Sequence, residues 1–283
     1  MPTIHGYTLA SGAPADNEDW FGATDDAVVV LDGATIRTET GCTHGLQWYV
    51  RRLGAALLDG AADTSRTLRE VLADAIGQVR ALHVDTCDLN HPGTPSAAVG
   101  IVRQTGDHVE WLVLADITVM VQTDDNLLVE VDNRVSETAP AERAACDQYL
   151  IGTEEKLEAI VAMKHLELAA RNVDGGYWVA SVVPEAAEHA RTGSWPTADV
   201  RSIGVCSDGT MRCLRLTTVT NYAAAMAVLA ASGPQWLVDY VRAAEDSDPQ
   251  GARWPRNKAR DDATAVYLDF RPQPPTPSKA GPS

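Results

Sequence analysis

The chain has 283 residues, 45% of them hydrophobic and 22% charged, with a formal net charge of −16. This is ordinary globular composition, long enough for one large domain or two smaller ones, and its acidic surface repels nucleic acid and anionic membranes. No apolar run approaches the roughly 20 residues that span a bilayer, and the N-terminal MPTIHGYTLASG lacks the basic region and apolar core of a signal peptide, so a cytoplasmic location is expected.

Residues 26–31, DAVVVL, read as a core strand closed by Asp32-Gly33. Leu46, Val50, Leu53 and Leu57 recur at helical spacing, which predicts a helix over 43–58 with Gly60 as its stop. A second helix is predicted over 65–83, with Leu68, Leu72, Ile76, Val79 and Leu82 or His83 on one face and Asp63 or Thr64 as cap. A loop follows over 85–95. Residues 96–103, 108–114, 117–122 and 127–132 alternate with turn signals and predict a meander of antiparallel strands.

The stretch 140–172 is rich in Ala, Glu and Leu and predicts one or two helices, ended by 172–176. Extended structure resumes at 177–180, and 184–198 mixes Pro, Gly and a short helix. A strand over 200–205 ends at Ser207-Asp208-Gly209, residues 221–244 read as a helix broken near Gly233-Pro234, and a last strand covers 263–270. From residue 271 the chain is Pro-rich and polar, the composition of a disordered tail. Periodicity alone therefore gives a mixed α+β domain.

The five cysteines are scattered with no CxxC pair, and reduced thiols are expected; the seven histidines show no ligand spacing, with His44 and His83 read as helix residues. Trp20, Trp178 and Trp195 are read as core packing, with the walls of a cleft as the alternative. There is no Walker P-loop, GxGxxG or GxSxG, and no basic cluster with interleaved aromatics.

What stands out is four acidic motifs spread along the chain: Asn17-Glu18-Asp19, Asp32-Gly33, Ser207-Asp208-Gly209 and Arg260-Asp261-Asp262. The last three adjoin predicted core strands. A carboxylate after the apolar run that ends at Leu31 must cap, pair or bind metal to offset its desolvation. Carboxylates gathered at strand ends repel one another unless cations sit between them, and an all-oxygen set suits hard cations such as Mg²⁺ or Mn²⁺.

Taken in order, NEDW at 17–20, VVVLDGAT at 28–35, PSAAVGIV at 95–102, LADITVMV at 114–121, IGVCSDG at 203–209 and RDDATAVYL at 260–268 resemble the conserved blocks of the type 2C, metal-dependent serine/threonine protein phosphatases. The resemblance runs from residue 6 to 270. It implies a four-layer α/β/β/α sandwich, two antiparallel sheets flanked by helices, as one catalytic domain over 1–270 with a variable flap within about 140–198. It implies two Mg²⁺ or Mn²⁺ ions, Asp32 bridging both and the Gly33 carbonyl ligating one. Asp208 and Asp261 would complete the first ion's ligands, and Glu18 and Asp19 would hold the second ion's waters. Asp116 would share a third, weaker position with Asp208. The implied reaction is direct attack of a metal-bridging hydroxide on phosphorus, with Asp32 and Asp208 as the catalytic residues.

The chain departs from the family at several points. Pro14 stands where the family has a phosphate-gripping Arg, Ala34 where it has His or Met after Asp-Gly, Ile117 in the Gly-Asp-Ser block, and Asp262 in place of Asn. ATIRTETG replaces a Gly-rich turn, and Arg37 within it is the candidate substitute for the missing Arg. Three substrates or roles follow: a phosphoserine or phosphothreonine protein first, a small phosphorylated metabolite second, and a catalytically weak partner-binding module third.

Overall fold

The computed structural model describes residues 2–13, 16–35 and 37–271. Pro14 and the tail expected beyond residue 271 lie outside the described residues. The strands are β1 (Thr3–Leu9), β2 (Asp19–Ala23), β3 (Ala27–Gly33), β4 (Ala97–Thr105), β5 (His108–Leu114), β6 (Thr118–Gln122), β7 (Leu127–Glu130), β8 (Arg191–Pro196), β9 (Ser202–Cys206) and β10 (Ala263–Asp269). The helices are α1 (Leu46–Ala61), α2 (Leu68–His83), α3 (Arg134–Glu137), α4 (Pro140–Cys146), α5 (Glu154–Ala169), α6 (Asp208–Met211), α7 (Cys213–Leu216) and α8 (Tyr222–Ser247).

Strand alternation divides the core into three layers of contact. On β3, Val28 and Val30 point one way and Val29 and Leu31 the other, all four fully buried. Val29 and Leu31 meet α1 and α2 through Leu53, Leu57, Leu72 and Ile76. Val28 and Val30 face the second sheet and meet Val119, Val205 and Val266. On the far side of that sheet, Met120, Ala265 and Tyr267 pack on Met226, Leu229 and Val238 of α8. Each such side chain contributes roughly 1.5–3 kcal/mol on burial. The result is the α/β/β/α sandwich, with five-stranded antiparallel sheets ordered β1-β10-β9-β6-β7 and β2-β3-β4-β5-β8.

Several boundaries move from their sequence expectation. Helix α2 starts at Leu68 because Thr67, not Asp63 or Thr64, caps it: Thr67 Oγ1 accepts from Glu70 N, and Glu70 Oε2 accepts from Thr67 N. Within that helix His83 is buried and Leu82 is exposed. The expected meander is split. β4 pairs with β5, but the chain then crosses to the other sheet through Ala115, whose φ is 64°, and β6 pairs with β7 and β9. The stretch 140–172 holds two main helices, α4 and α5. β8 is an edge strand inside the stretch expected to be irregular, and β1 and β2 lie where the sequence predicts no element. The predicted break in α8 falls at Gly233, with φ 83°, just before Pro234. Trp20 packs under Gly54 of α1, and Trp178 stacks on His189, so both serve packing.

Candidate metal centre

Antiparallel pairing explains why residues so distant in sequence meet. The end of a strand lies beside the start of its antiparallel neighbours. β9 ends at Cys206, opposite Ala265 of β10 and Thr118 of β6. Asp208 follows β9, Asp116 precedes β6 and Asp261 precedes β10, so the three share one end of that sheet. In the other sheet Asp19 opens β2 directly opposite Asp32. Ser207 ties the two sheets together there: its Oγ donates to Asp19 Oδ2 at 2.8 Å and accepts from Thr264 N at 2.9 Å.

The two Asp-Gly pairs have a steric reason. A Cβ on Gly33 would meet the Glu18 carbonyl oxygen at 2.6 Å, and one on Gly209 would meet the Asp262 carbonyl oxygen at 1.9 Å. Glycine is required at both places for the acidic loops to approach.

The electrostatics follow from this crowding. Burial pushes the Asp32 carboxyl well above its ordinary value, and Asp19, Asp208, Asp116 and Asp261 add to the effect. Asp19 is pushed up to about 8 by burial, against hydrogen bonds from Thr264 and Ser207. Asp116 is pushed up to about 7, by burial and then by Asp208. These carboxylates ionise together only with cations among them. A hard, anionic, all-oxygen donor set fits Mg²⁺ or Mn²⁺.

Two protein cations already touch part of the set, and sequence reading passed over both. Lys258 Nζ donates to Asp261 Oδ1 and to Thr35 Oγ1, each at 2.5 Å. Arg212 forms ion pairs with Asp261 and with Glu245, the latter at 2.6 Å. Burial acts upward on Asp261, but Lys258 and Arg212 outweigh it and hold the carboxyl below its ordinary value. Burial acts downward on Lys258, and Asp261, Asp208 and Asp32 outweigh it, so the ammonium is held above its ordinary value. The signals were spacing alone: a Lys three residues before Asp261 and an Arg four residues after Asp208 on one helical turn.

Glu18 is half-buried and accepts a hydrogen bond from Thr35 Oγ1. Burial raises its carboxyl despite that bond. Asp262 does not join the carboxylate set in the same manner. Its two oxygens accept from Ser11 N at 2.5 Å and Glu18 N at 2.8 Å, clamping the N-terminal loop. Glu18, Thr35, Arg37 and Lys258 line a cleft of about 890 Å³, together with Gly152 before α5 and Leu157 in its first turn. Arg37 is exposed on that rim. Lys156 lines it too, but its buried ammonium is committed to the Cys146 carbonyl at 2.7 Å.

No protein-family model matches the chain. No curated protein matches it in sequence. Solved structures do match. The Mycobacterium tuberculosis serine/threonine phosphatase PstP/Ppp superposes with a TM-score of 0.56 at 12% identity, covering 95% of this chain and 98% of that one. The Toxoplasma gondii serine-threonine phosphatase 2C gives 0.55 at 15% identity, covering 95% of each chain. The catalytic domain of PstP in complex with two manganese ions gives 0.53 at 12% identity, covering 95% of this chain and 97% of that one. Likeness over the whole chain with so little identity is a likeness of architecture: this chain has the type 2C (PPM-type) serine/threonine phosphatase fold.

Proposed function

We propose that the chain is a Mg²⁺- or Mn²⁺-dependent phosphomonoester hydrolase acting on phosphoserine or phosphothreonine in proteins. The observation that carries this reading is the convergence of Asp19, Asp32, Asp116, Asp208 and Asp261 at one end of the two sheets, where burial and then mutual repulsion raise the Asp19, Asp32 and Asp116 carboxyls. Asp32, Asp208 and Asp261, with the Gly33 carbonyl, would hold one pair of ions, with Glu18 and Asp19 on the outer waters. Asp116 and Asp208 would hold a third. Bound there, such ions supply Lewis-acid polarisation of phosphoryl oxygens and a water of lowered pKa.

The chain's own residues do the rest. Ser207 fixes the Asp19 carboxylate, so that group is preorganised rather than rearranging on binding. Arg37, exposed at the cleft, would take the substrate's phosphate oxygens, in the role Pro14 cannot fill. The cleft is open and the exposed Leu157 is among its lining residues. That suits a polypeptide carrying the phosphate better than a small phosphorylated metabolite, which is the alternative substrate. The flap would then set substrate choice.

A second reading, a partner-binding module with little turnover, draws on Lys258, whose ammonium partly neutralises the carboxylates without metal. Hydrolysis of para-nitrophenyl phosphate and of a phosphothreonine peptide, with Mn²⁺, with chelator and in Asp208→Asn, separates the readings. Turnover that needs Mn²⁺ and Asp208 supports the hydrolase. A folded, Mn²⁺-binding chain that turns over neither substrate overturns it.

A further inference from the structure

A second cluster of ligand-type side chains lies away from the carboxylates. Cys42 and His44 sit in the loop between β3 and α1, and His83 and Cys87 at and beyond the C-terminal end of α2. One ligand atom from each of the four lies within 4.8 Å of the others. Cys42 Sγ is 3.2 Å from Cys87 Sγ, 3.6 Å from His83 Nδ1 and 3.9 Å from His44 Nδ1. His44 Nδ1 is 3.3 Å from Cys87 Sγ.

We propose that Cys42, His44, His83 and Cys87 form a structural Zn²⁺ site of the Cys₂His₂ type. Zn–S bonds of about 2.3 Å and Zn–N bonds of about 2.0 Å in a tetrahedron give ligand-to-ligand edges of roughly 3.3–3.8 Å. The three sulfur–nitrogen separations straddle the corresponding edge of about 3.5 Å, and the 3.2 Å sulfur–sulfur separation would open to about 3.8 Å on binding. Both cysteines are free thiols, and their 3.2 Å separation is well beyond the roughly 2.05 Å of a disulfide. A disulfide would also give no reason for two imidazoles to turn toward the sulfurs. The thiolate and imidazole set selects Zn²⁺ over the hard ions of the carboxylate site.

The surroundings are built for a fixed ligand geometry. His83 is buried, and its Nε2 has no hydrogen-bond partner, so Nδ1 is the ring's engaged atom. Trp48 stacks on His44 with centroids 4.3 Å apart and covers His83 at 5.4 Å. The two ligand loops are also joined by backbone: Asp88 N donates to the Gly41 carbonyl at 2.9 Å. Gly41, at φ 63°, lies so close to His91 that a Cβ would meet the His91 Cβ at 2.5 Å. The ion would therefore fasten the loop that leaves Asp32-Gly33, and that carries Thr35 and Arg37, to the end of α2.

The test uses the full chain expressed with zinc, passed over a column to remove loosely held ions, and analysed for metal. The expected result is about one zinc per chain, retained in Asp32→Asn/Asp208→Asn and lost in Cys42→Ser/Cys87→Ser. Because the cysteine variant can fail to fold, wild-type protein reloaded with Co²⁺ is measured as well. Thiolate-to-cobalt charge-transfer absorption and intense tetrahedral d–d bands, both bleached by added Zn²⁺, support the site. A Co²⁺ spectrum without thiolate character, zinc that leaves with the aspartate variants, or a Cys42–Cys87 disulfide in freshly purified protein would each overturn it.

Discussion

Lys258 donates from Nζ to Asp261 Oδ1 at 2.5 Å, which puts an ammonium among the carboxylates proposed to hold divalent ions. A lysine and a metal ion compete for the same negative charge. The Lys258 side chain is 27% exposed and that of Asp261 9%, so screening by water is only partial. Lys258→Met removes the positive charge that touches Asp261 of the proposed ligand set. Mn²⁺ affinity, read by calorimetric titration, should rise about tenfold. The metal-free variant should lose about 1–3 kcal/mol in denaturant unfolding, since Asp261 keeps only Arg212 as its side-chain cation. Unchanged Mn²⁺ affinity would mean that the ammonium lies outside the ions' field.

Asp32 receives repulsion from Asp19, Asp208, Asp116 and Asp261 at once. Asp32→Asn should therefore separate function from stability in opposite directions. Metal-dependent hydrolysis should fall by at least about 100-fold, the scale of losing one preorganised electrostatic group. The metal-free fold should melt higher than wild type, because a neutral amide relieves the crowding. A variant that keeps activity would remove Asp32 from the proposed centre.

The core strands were legible because their signals are local, whereas the sandwich followed from the family resemblance, periodicity alone giving a mixed α+β domain. A run such as VVVL must be a buried strand, and an Asp-Gly at its end is marked by a glycine that sterics demand. The edge strands β1 and β8 were not legible in the same way. β1 and β8 contain no fully buried residue, so neither carries the run of apolar residues that marks a core strand. The split between β5 and β6 was also hidden, since Ala115 gives no sign of its left-handed backbone. Lys258 and the Cys42–His83 cluster were hidden for another reason. Each depends on which loops the sheets bring together, and the C-x-H and H-x₃-C spacings are too common to stand out singly.

The pH dependence of the metal-free protein has a definite sign. Burial pushes Asp19 up to about 8 and Asp116 up to about 7 in the folded chain, against an ordinary carboxyl value of 3.8. The folded state then binds more protons than the unfolded state across that window, so stability falls as pH rises from about 4 to about 8. Asp261 is shifted downward, so its contribution is complete above 3.8 and flat through the same window. With chelator present, the melting temperature should drop steadily across it. With saturating Mn²⁺ the slope should shrink or reverse, because ions bind the deprotonated groups. A pH-independent melting temperature in chelator would mean that these carboxyls are not crowded.

Asp262 stands where the resembled family has asparagine, and its geometry gives the substitution a purpose beyond added charge. One oxygen accepts from Ser11 N and the other from Glu18 N. An asparagine has a single acceptor oxygen, and its amide nitrogen would face a backbone donor. Asp262→Asn should therefore cost about 1–3 kcal/mol, the penalty of leaving a partly buried N–H unpaired. The damage should reach the metal centre, because Glu18 precedes Asp19 on the clamped loop. Mn²⁺ affinity should fall even though the substituted residue is not itself a proposed ligand. Asp262→Ala, which loses both acceptors, should be worse on both measures. If Asp262→Asn matched wild type in stability and Mn²⁺ affinity, the second acceptor oxygen would be dispensable and the clamp would rest on one bond.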